Sequence, residues 1–311
     1  RLMGGASQEE GSDKMTEKLQ QLVQENATSQ QEVNNMMKGL TGSLTYWGDQ
    51  PGTSGPAYQG AVVIFLAILG FFFAWPKYRW WILGASALTI MLAWGSNFMP
   101  LTDFFIDYVP VYNKFRAPSS ILVVVELLFP FIAIIGLYRF FTDEKLTTEY
   151  KQKVLLYTTG SVAGITLILI LFGKTILGFH TALEGQYLPS YLLDYLVDER
   201  YSMFRTDAVK AIIYVLITAG VMFMVMKQKL NQNIALIIIG LVSLFDLWTV
   251  NKRYLNNDNF ADKMFARNPF ITEASESYLA KSNGNSYIEG LLQQAPVNQA
   301  LESIAKADKS H

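Results

Sequence analysis

The stretch Ser119-Ser-Ile-Leu-Val-Val-Val-Glu126-Leu-Leu-Phe-Pro130-Phe-Ile-Ala-Ile-Ile-Gly136-Leu-Tyr-Arg139 decides the fold class of this chain. Between Ser120 and Arg139 its single ionisable group is Glu126, in a run as long as the ~20 residues a helix needs to cross a bilayer core. Five more segments have the same character. The expected fold is an all-α membrane protein with about six spans, at 58–75, 79–95, 119–141, 153–178, 207–227 and 232–250. Trp75, Trp80, Trp81, Trp94, Tyr138 and Trp248 lie near the span ends, where amphipathic rings sit at the headgroups.

Composition agrees. The chain has 311 residues, of which 51% are hydrophobic and 16% charged, against roughly 25% charged in soluble domains. A net charge of −1 gives no nucleic-acid signature. With no cysteine, and with His180 and His311 as its two histidines, the chain lacks a thiolate or histidine-rich metal site. It has no P-loop, no glycine-rich dinucleotide turn, no nucleophile elbow and no HExxH pair, which argues against ATP-driven transport and zinc hydrolysis. No cofactor is called for; a divalent cation requirement is not readable from these residues.

Positive charge suggests the topology. Lys77 and Arg79, then Arg139, Lys145, Lys151 and Lys153, then Lys227 and Lys229 fall in alternate loops, which places those loops on the cytoplasmic side. The outer loops are then 96–118 and 179–206, with the polar region 1–57 and a soluble tail, 251–311, on the same outer side. In 1–57, Met15, Leu19, Leu22 and Val23 fall at helical spacing after Ser12. In 179–206, Tyr187, Leu188, Tyr191, Leu192, Tyr195 and Leu196 suit a short helix lying in the interface.

Ionisable groups at or within a bilayer are costly, so they are functional candidates. Asp103, Asp107, Lys114, Arg116, Glu126, Lys174, Lys210 and Asp246 are expected to gather at the outer face. Plainer readings stand beside this one. Lys174 and Lys210 are placed to snorkel, Glu126 to pair with Lys174, and Asp246 to cap a turn. Asp103 and Asp107, four residues apart, make a solvated helix face. Arg116 suits bidentate contact with phosphate oxygens, with Lys114 beside it and Ser119 and Ser120 at a helix start. The competing reading is ordinary headgroup anchoring. In the turn-rich loop Tyr46-Trp47-Gly48-Asp49-Gln50-Pro51, flat rings and hydrogen-bonding groups suit a sugar, and they suit protein packing equally.

Three motifs carry a resemblance: Tyr46–Pro56, Val109-Pro-Val-Tyr-Asn-Lys-Phe-Arg-Ala-Pro118, and Asp246-Leu-Trp with Asn251-Lys-Arg-Tyr-Leu255. They resemble the YfhO family of bacterial multi-pass membrane proteins, whose long Bacteroidetes members are the nearest in kind. That family is similar to the GT-C membrane glycosyltransferases. The resemblance implies a GT-C-like bundle in the bacterial cytoplasmic membrane. Such a bundle moves a sugar from a polyprenyl-phosphate donor to a cell-envelope glycan acceptor on the outer face. It carries over Arg116, with its flanking Lys114 and Ser119, as lipid-phosphate contacts; Lys174 is a further candidate for that contact. It carries over Tyr46, Trp47, Asp49 and Gln50 as sugar or acceptor contacts. The GT-C catalytic acid lies in the first outer loop, which nothing here matches. As the chain begins with Arg, a piece of a longer protein is expected. The alternatives are a lipid-linked sugar flippase or a non-catalytic membrane scaffold.

Overall fold

A computed structural model describes residues 13–26, 58–114 and 117–254, all within the first of the two units into which the chain divides. The described residues are helical and contain no strand. The helices are α1 (Asp13–Asn26), α2 (Ala61–Phe73), α3 (Pro76–Ala93), α4 (Met99–Tyr108), α5 (Val123–Thr142), α6 (Thr148–Leu177), α7 (Ala182–Tyr187), α8 (Ser190–Met226) and α9 (Gln232–Tyr254). Short 3-10 turns occupy Gly95–Phe98, Tyr112–Lys114 and Pro118–Leu122.

Among the described residues, four helices are long and apolar enough to cross a membrane: Pro118–Thr142, Thr148–Leu177, Ser190–Met226 and Gln232–Lys252. A fifth crossing is reached if α3 and the Gly95–Tyr108 segment, bent by 114° against each other, count as one. The most apolar window of each of the four is only 22–33% buried, which leaves broad apolar flanks outside the bundle. Leu127, Ile134 and Trp248 are among the exposed side chains there. In water such flanks would be unstable; in a bilayer they are the expected outer surface.

Two of the six expected spans are not seen as single crossings. The segment 58–75 forms α2, with 13 residues and a length of roughly 20 Å, short of the ~30 Å hydrocarbon core. The segment 79–95 is α3, whose continuation turns sharply. Gly95 takes φ +51°, and Thr102 Oγ1 donates to the Gly95 carbonyl at 2.8 Å, pinning the bend.

The short α2 is the middle of the bundle. It touches α3, α5, α6, α8 and α9. Val62, Phe65, Leu66, Leu69 and Phe73 are buried in a core shared with Ile132 and Phe140 of α5, Leu155 of α6, Met222 of α8, and Ala235 and Ile239 of α9. Its crossing with α5 is backbone on backbone. A Cβ on Gly70 would stand 2.3 Å from the Ile132 carbonyl oxygen, and one on Gly136 would stand 2.3 Å from the Gly70 Cα. Small residues let membrane helices approach to this distance and gain dispersion along the whole contact.

The second difference concerns 179–206. Of the stretch read as a short interfacial helix, Tyr191, Leu192, Tyr195 and Leu196 lie in the first part of α8, a continuous helix of 37 residues and roughly 55 Å. That length exceeds a bilayer core, so one part of α8 extends past it. Its Leu192 and Leu196 are covered by Met15, Leu19 and Val23 of α1, all buried. The apolar stripe that would have faced lipid faces another helix of this chain.

The α2–α5 crossing yields a test. Gly70→Ala should destabilise the chain by ~1–3 kcal/mol through overpacking, measured by thermal unfolding in detergent. Gly84→Ala, where nothing lies within 4 Å of the added carbon, should be neutral or slightly stabilising. Equal effects at the two positions would contradict the close crossing.

Candidate functional site

Helix α2 begins inside the bundle, so its first N–H groups need partners from other segments. Asp246 of α9 supplies them. It is 2% exposed, and its Oδ2 accepts from the Val62 N–H at 3.3 Å. Its Oδ1 accepts from the Tyr58 hydroxyl at 2.6 Å. A carboxylate at a helix start is favoured by the helix dipole. The approach depends on Gly60, which has φ +85° and whose absent Cβ would stand 3.2 Å from Asp246 Oδ2. Asp207 of α8 is buried too and acts electrostatically on both Tyr58 and Asp246. Two carboxyl groups and a phenol in one buried patch can hold a proton or a cation. Among the described residues no group of three or more His, Cys, Asp or Glu is arranged as a metal site.

The other end of α2 is closed by the opposite charge. Arg139 Nη1 donates to the Phe73 carbonyl at 2.6 Å, and Nε donates to Asp143 Oδ2 at 2.9 Å. The guanidinium lies over the Trp75 ring, 4.8 Å from its centroid. Hydrogen bonding from Arg139, then from the Lys145 N–H, holds the Asp143 carboxyl below the usual carboxylate range.

A third polar lock joins α7 and the turn before it to α8. Arg200, 2% exposed, grips Glu184 with two hydrogen bonds of 2.9 and 2.7 Å and donates to the Phe179 carbonyl at 3.0 Å. Thr181 and Glu184 complete a reciprocal cap at the start of α7, with bonds of 2.8 and 3.1 Å. Burial raises the Glu184 carboxyl, but hydrogen bonds from Arg200 and the Thr181 N–H outweigh it, and the net shift is downward.

The residues expected to gather at one face separate into different surroundings. Asp246 is buried and serves as a cap, for α2 rather than for a turn after its own helix. Lys174 forms its ion pair with Asp198 at an exposed position, so the expected Glu126–Lys174 pair is not formed. Distance in sequence hid that partner, since Asp198 lies on α8. Glu126 is exposed on α5, and Lys210 is exposed on α8. Asp103 and Asp107 are both exposed on α4, the solvated face that their spacing suggests. Lys114 is exposed; Ser119 is half-buried, and Ser120 Oγ donates to the Ala117 carbonyl at 2.8 Å. Arg116, Tyr46, Trp47, Asp49 and Gln50 lie outside the described residues.

Sequence reasoning missed Tyr58, Asp207 and the Glu184–Arg200 pair. The signal for the last was present: Thr181-Ala-Leu-Glu184 is a capping box. Tyr58 gave no local signal, because its partner is 188 residues away. No protein-family model, curated protein or solved structure matches the chain.

Two tests follow from these locks. Tyr58→Phe, Asp246→Asn and the double variant should show a coupling of ~0.5–3 kcal/mol in a double-mutant cycle of unfolding free energies. Additive effects would show that the hydroxyl and the carboxylate act independently. Because folding lowers the Glu184 pKa, its stabilising effect is present above the ordinary glutamate value of roughly 4.3 and is lost as pH falls through the lower folded value. The unfolding temperature of the native chain should therefore drop more steeply on acidification below about pH 5 than that of Glu184→Gln. Parallel curves would remove Glu184 from the acid response.

Proposed function

We propose that this chain forms the membrane part of a lipid-linked sugar transferase in the bacterial cytoplasmic membrane. In this reading the bundle is GT-C-like, with α2 as a short helix in its core and the bent α3–α4 pair counted as one crossing. The basic loops face the cytoplasm, and both ends of the chain face outward. A polyprenyl-phosphate sugar docks beside the 109–118 motif, with Arg116 and Lys114 on the phosphate, and the sugar passes to a cell-envelope glycan.

The observation that carries the reading is the motif itself, from Val109 to Pro118. One structural feature supports it. Val111 has φ +71°, a left-handed conformation that a β-branched residue adopts only when its surroundings impose it. Backbone strain of this kind collects at binding and catalytic loops. Val111 is also 65% exposed, so the strained turn is open to a ligand. The exposed apolar flanks of the four long helices give a polyprenyl chain a path to that turn through the lipid.

A second reading, a non-catalytic membrane module, is favoured by the roles of Asp246, Arg139, Glu184 and Arg200. Each holds helices together.

The experiment is photocrosslinking of a polyprenyl-phosphate probe to the chain in membranes. Arg116→Ala should lower labelling about tenfold or more, the loss of charge-assisted hydrogen bonds, with expression and insertion retained. Unchanged labelling would end the phosphate-clamp reading. No labelling of the native chain would favour the module.

A further inference from the structure

The position of α4 follows from the helix before it. The Arg139 guanidinium, in the last turn of α5, lies over the Trp75 ring that precedes α3, 4.8 Å from its centroid. At the other end, a Cβ on Gly95 would stand 3.4 Å from Pro118 Cγ, where the Pro118–Thr142 span begins. The two helices are antiparallel neighbours with matched ends, so α3 covers the same depth as that span. Its 18 residues give roughly 27 Å, close to the ~30 Å hydrocarbon core. α4 begins where that crossing ends, and the 114° bend turns it from the α3 axis toward the membrane plane.

The side chains of α4 suit that level. Thr102 is buried, and its Oγ1 bond to the Gly95 carbonyl turns this side to the bundle. Asp103 and Asp107 share one exposed face. Phe104 and Tyr108 form the next row, with ring centroids 5.2 Å apart, and are 53% and 73% exposed. Met99 and Ile106 are exposed on the other side of the acids. A narrow charged face flanked by exposed apolar rows fits the boundary between water and acyl chains. In water alone the same rows would form an open apolar patch. That patch adjoins the lipid-facing surface of the bundle: the exposed Trp94 ring at the end of α3 packs edge-on against Phe98, just before α4, at 6.2 Å.

We propose that α4 lies in the headgroup–acyl boundary of the leaflet at the Gly95–Pro118 end of the bundle, as an interfacial anchor. The lipid surface is its partner. Asp103 and Asp107 face water, Phe104 and Tyr108 rest among the upper acyl chains, and α3 alone makes the crossing. α4 contains no basic residue, so apolar burial holds it and anionic headgroups are not required. The anchor also fixes the depth of the turn that follows, because Phe105 packs against Tyr112 with ring centroids 5.4 Å apart. The strained turn at Val111 is thereby kept at headgroup level, and this placement does not rest on the sugar-transfer reading.

The chain has no cysteine, so a single introduced thiol reports one position. Phe104→Cys, Tyr108→Cys, Asp103→Cys and Asp107→Cys are each spin-labelled in the full chain and reconstituted in phosphatidylcholine vesicles. The ratio of oxygen to nickel-chelate collision rates should be at least about threefold higher at 104 and 108 than at 103 and 107. Equal ratios at all four would overturn the proposal. High nickel access throughout would mean that α4 stands in water, and high oxygen access throughout that it lies inside a crossing. Low rates with both reagents would mean that a second copy of the chain covers it. Sidedness gives a second check, with Glu144 exposed in the turn between α5 and α6. An impermeant maleimide should reach Asp107→Cys in right-side-out or in inside-out membrane vesicles, and Glu144→Cys in the other kind. Reaction of both in the same kind would refute a crossing by α3 alone. If an aromatic variant fails to fold, Ile106→Cys takes its place with the same expected ratio.

Discussion

A helix that starts inside a bundle must find partners for its first N–H groups there, and α2 is such a helix. In an apolar setting each unmet backbone group costs several kcal/mol, so only a chain that brings partners to both ends can keep it there. Here an acid from α9 meets the start and an arginine from α5 meets the finish, each with the sign that the helix dipole favours. The remaining helices are arranged around that requirement. α5 crosses at the paired glycines, α8 and α9 bring Asp207 and Asp246 to one end, and α6 brings Tyr150, whose hydroxyl donates to the Phe72 carbonyl at the other.

This changes how the ionisable residues of the bundle are understood. A carboxylate at the end of an apolar run invites a functional reading, and Asp246 is such a group, buried in the structure. Its geometry is that of a cap: one oxygen on a backbone N–H, the other on a phenol. Arg139 and Arg200 are likewise committed to carbonyls and carboxylates of the chain. The exposed, strained turn around Val111 lies elsewhere.

Much of the helical framework was legible because it follows from length and apolarity alone. The runs around 119–141, 153–178 and 232–250 are long, apolar helices whose ends shift by a few residues. The stripe Met15, Leu19, Val23 is buried as its spacing suggests. The errors arose where hydropathy cannot distinguish a lipid-facing helix from a protein-facing one. Ala61–Phe73 is as apolar as a span and is instead a core helix, and Leu192 and Leu196 are covered by α1 rather than lipid. The site was less legible than the fold, because it depends on pairings between distant segments. Asp246 stood out as a charge at the end of an apolar run, but nothing near it in sequence pointed to Tyr58 or Asp207. Lys174 stood out for the same reason; of the readings open for it, pairing with Glu126 is replaced by an ion pair with Asp198.

The cap on α2 also sets an order of events during synthesis. The Asp246 carboxylate is made 184 residues after the N–H group that it accepts from, when most of the bundle has already left the ribosome. Until then α2 is too short to be retained by the bilayer through hydrophobicity and has an open end. Its docking is accordingly among the last steps of assembly, and a nascent chain that stalls before α9 leaves the start of α2 without its cap.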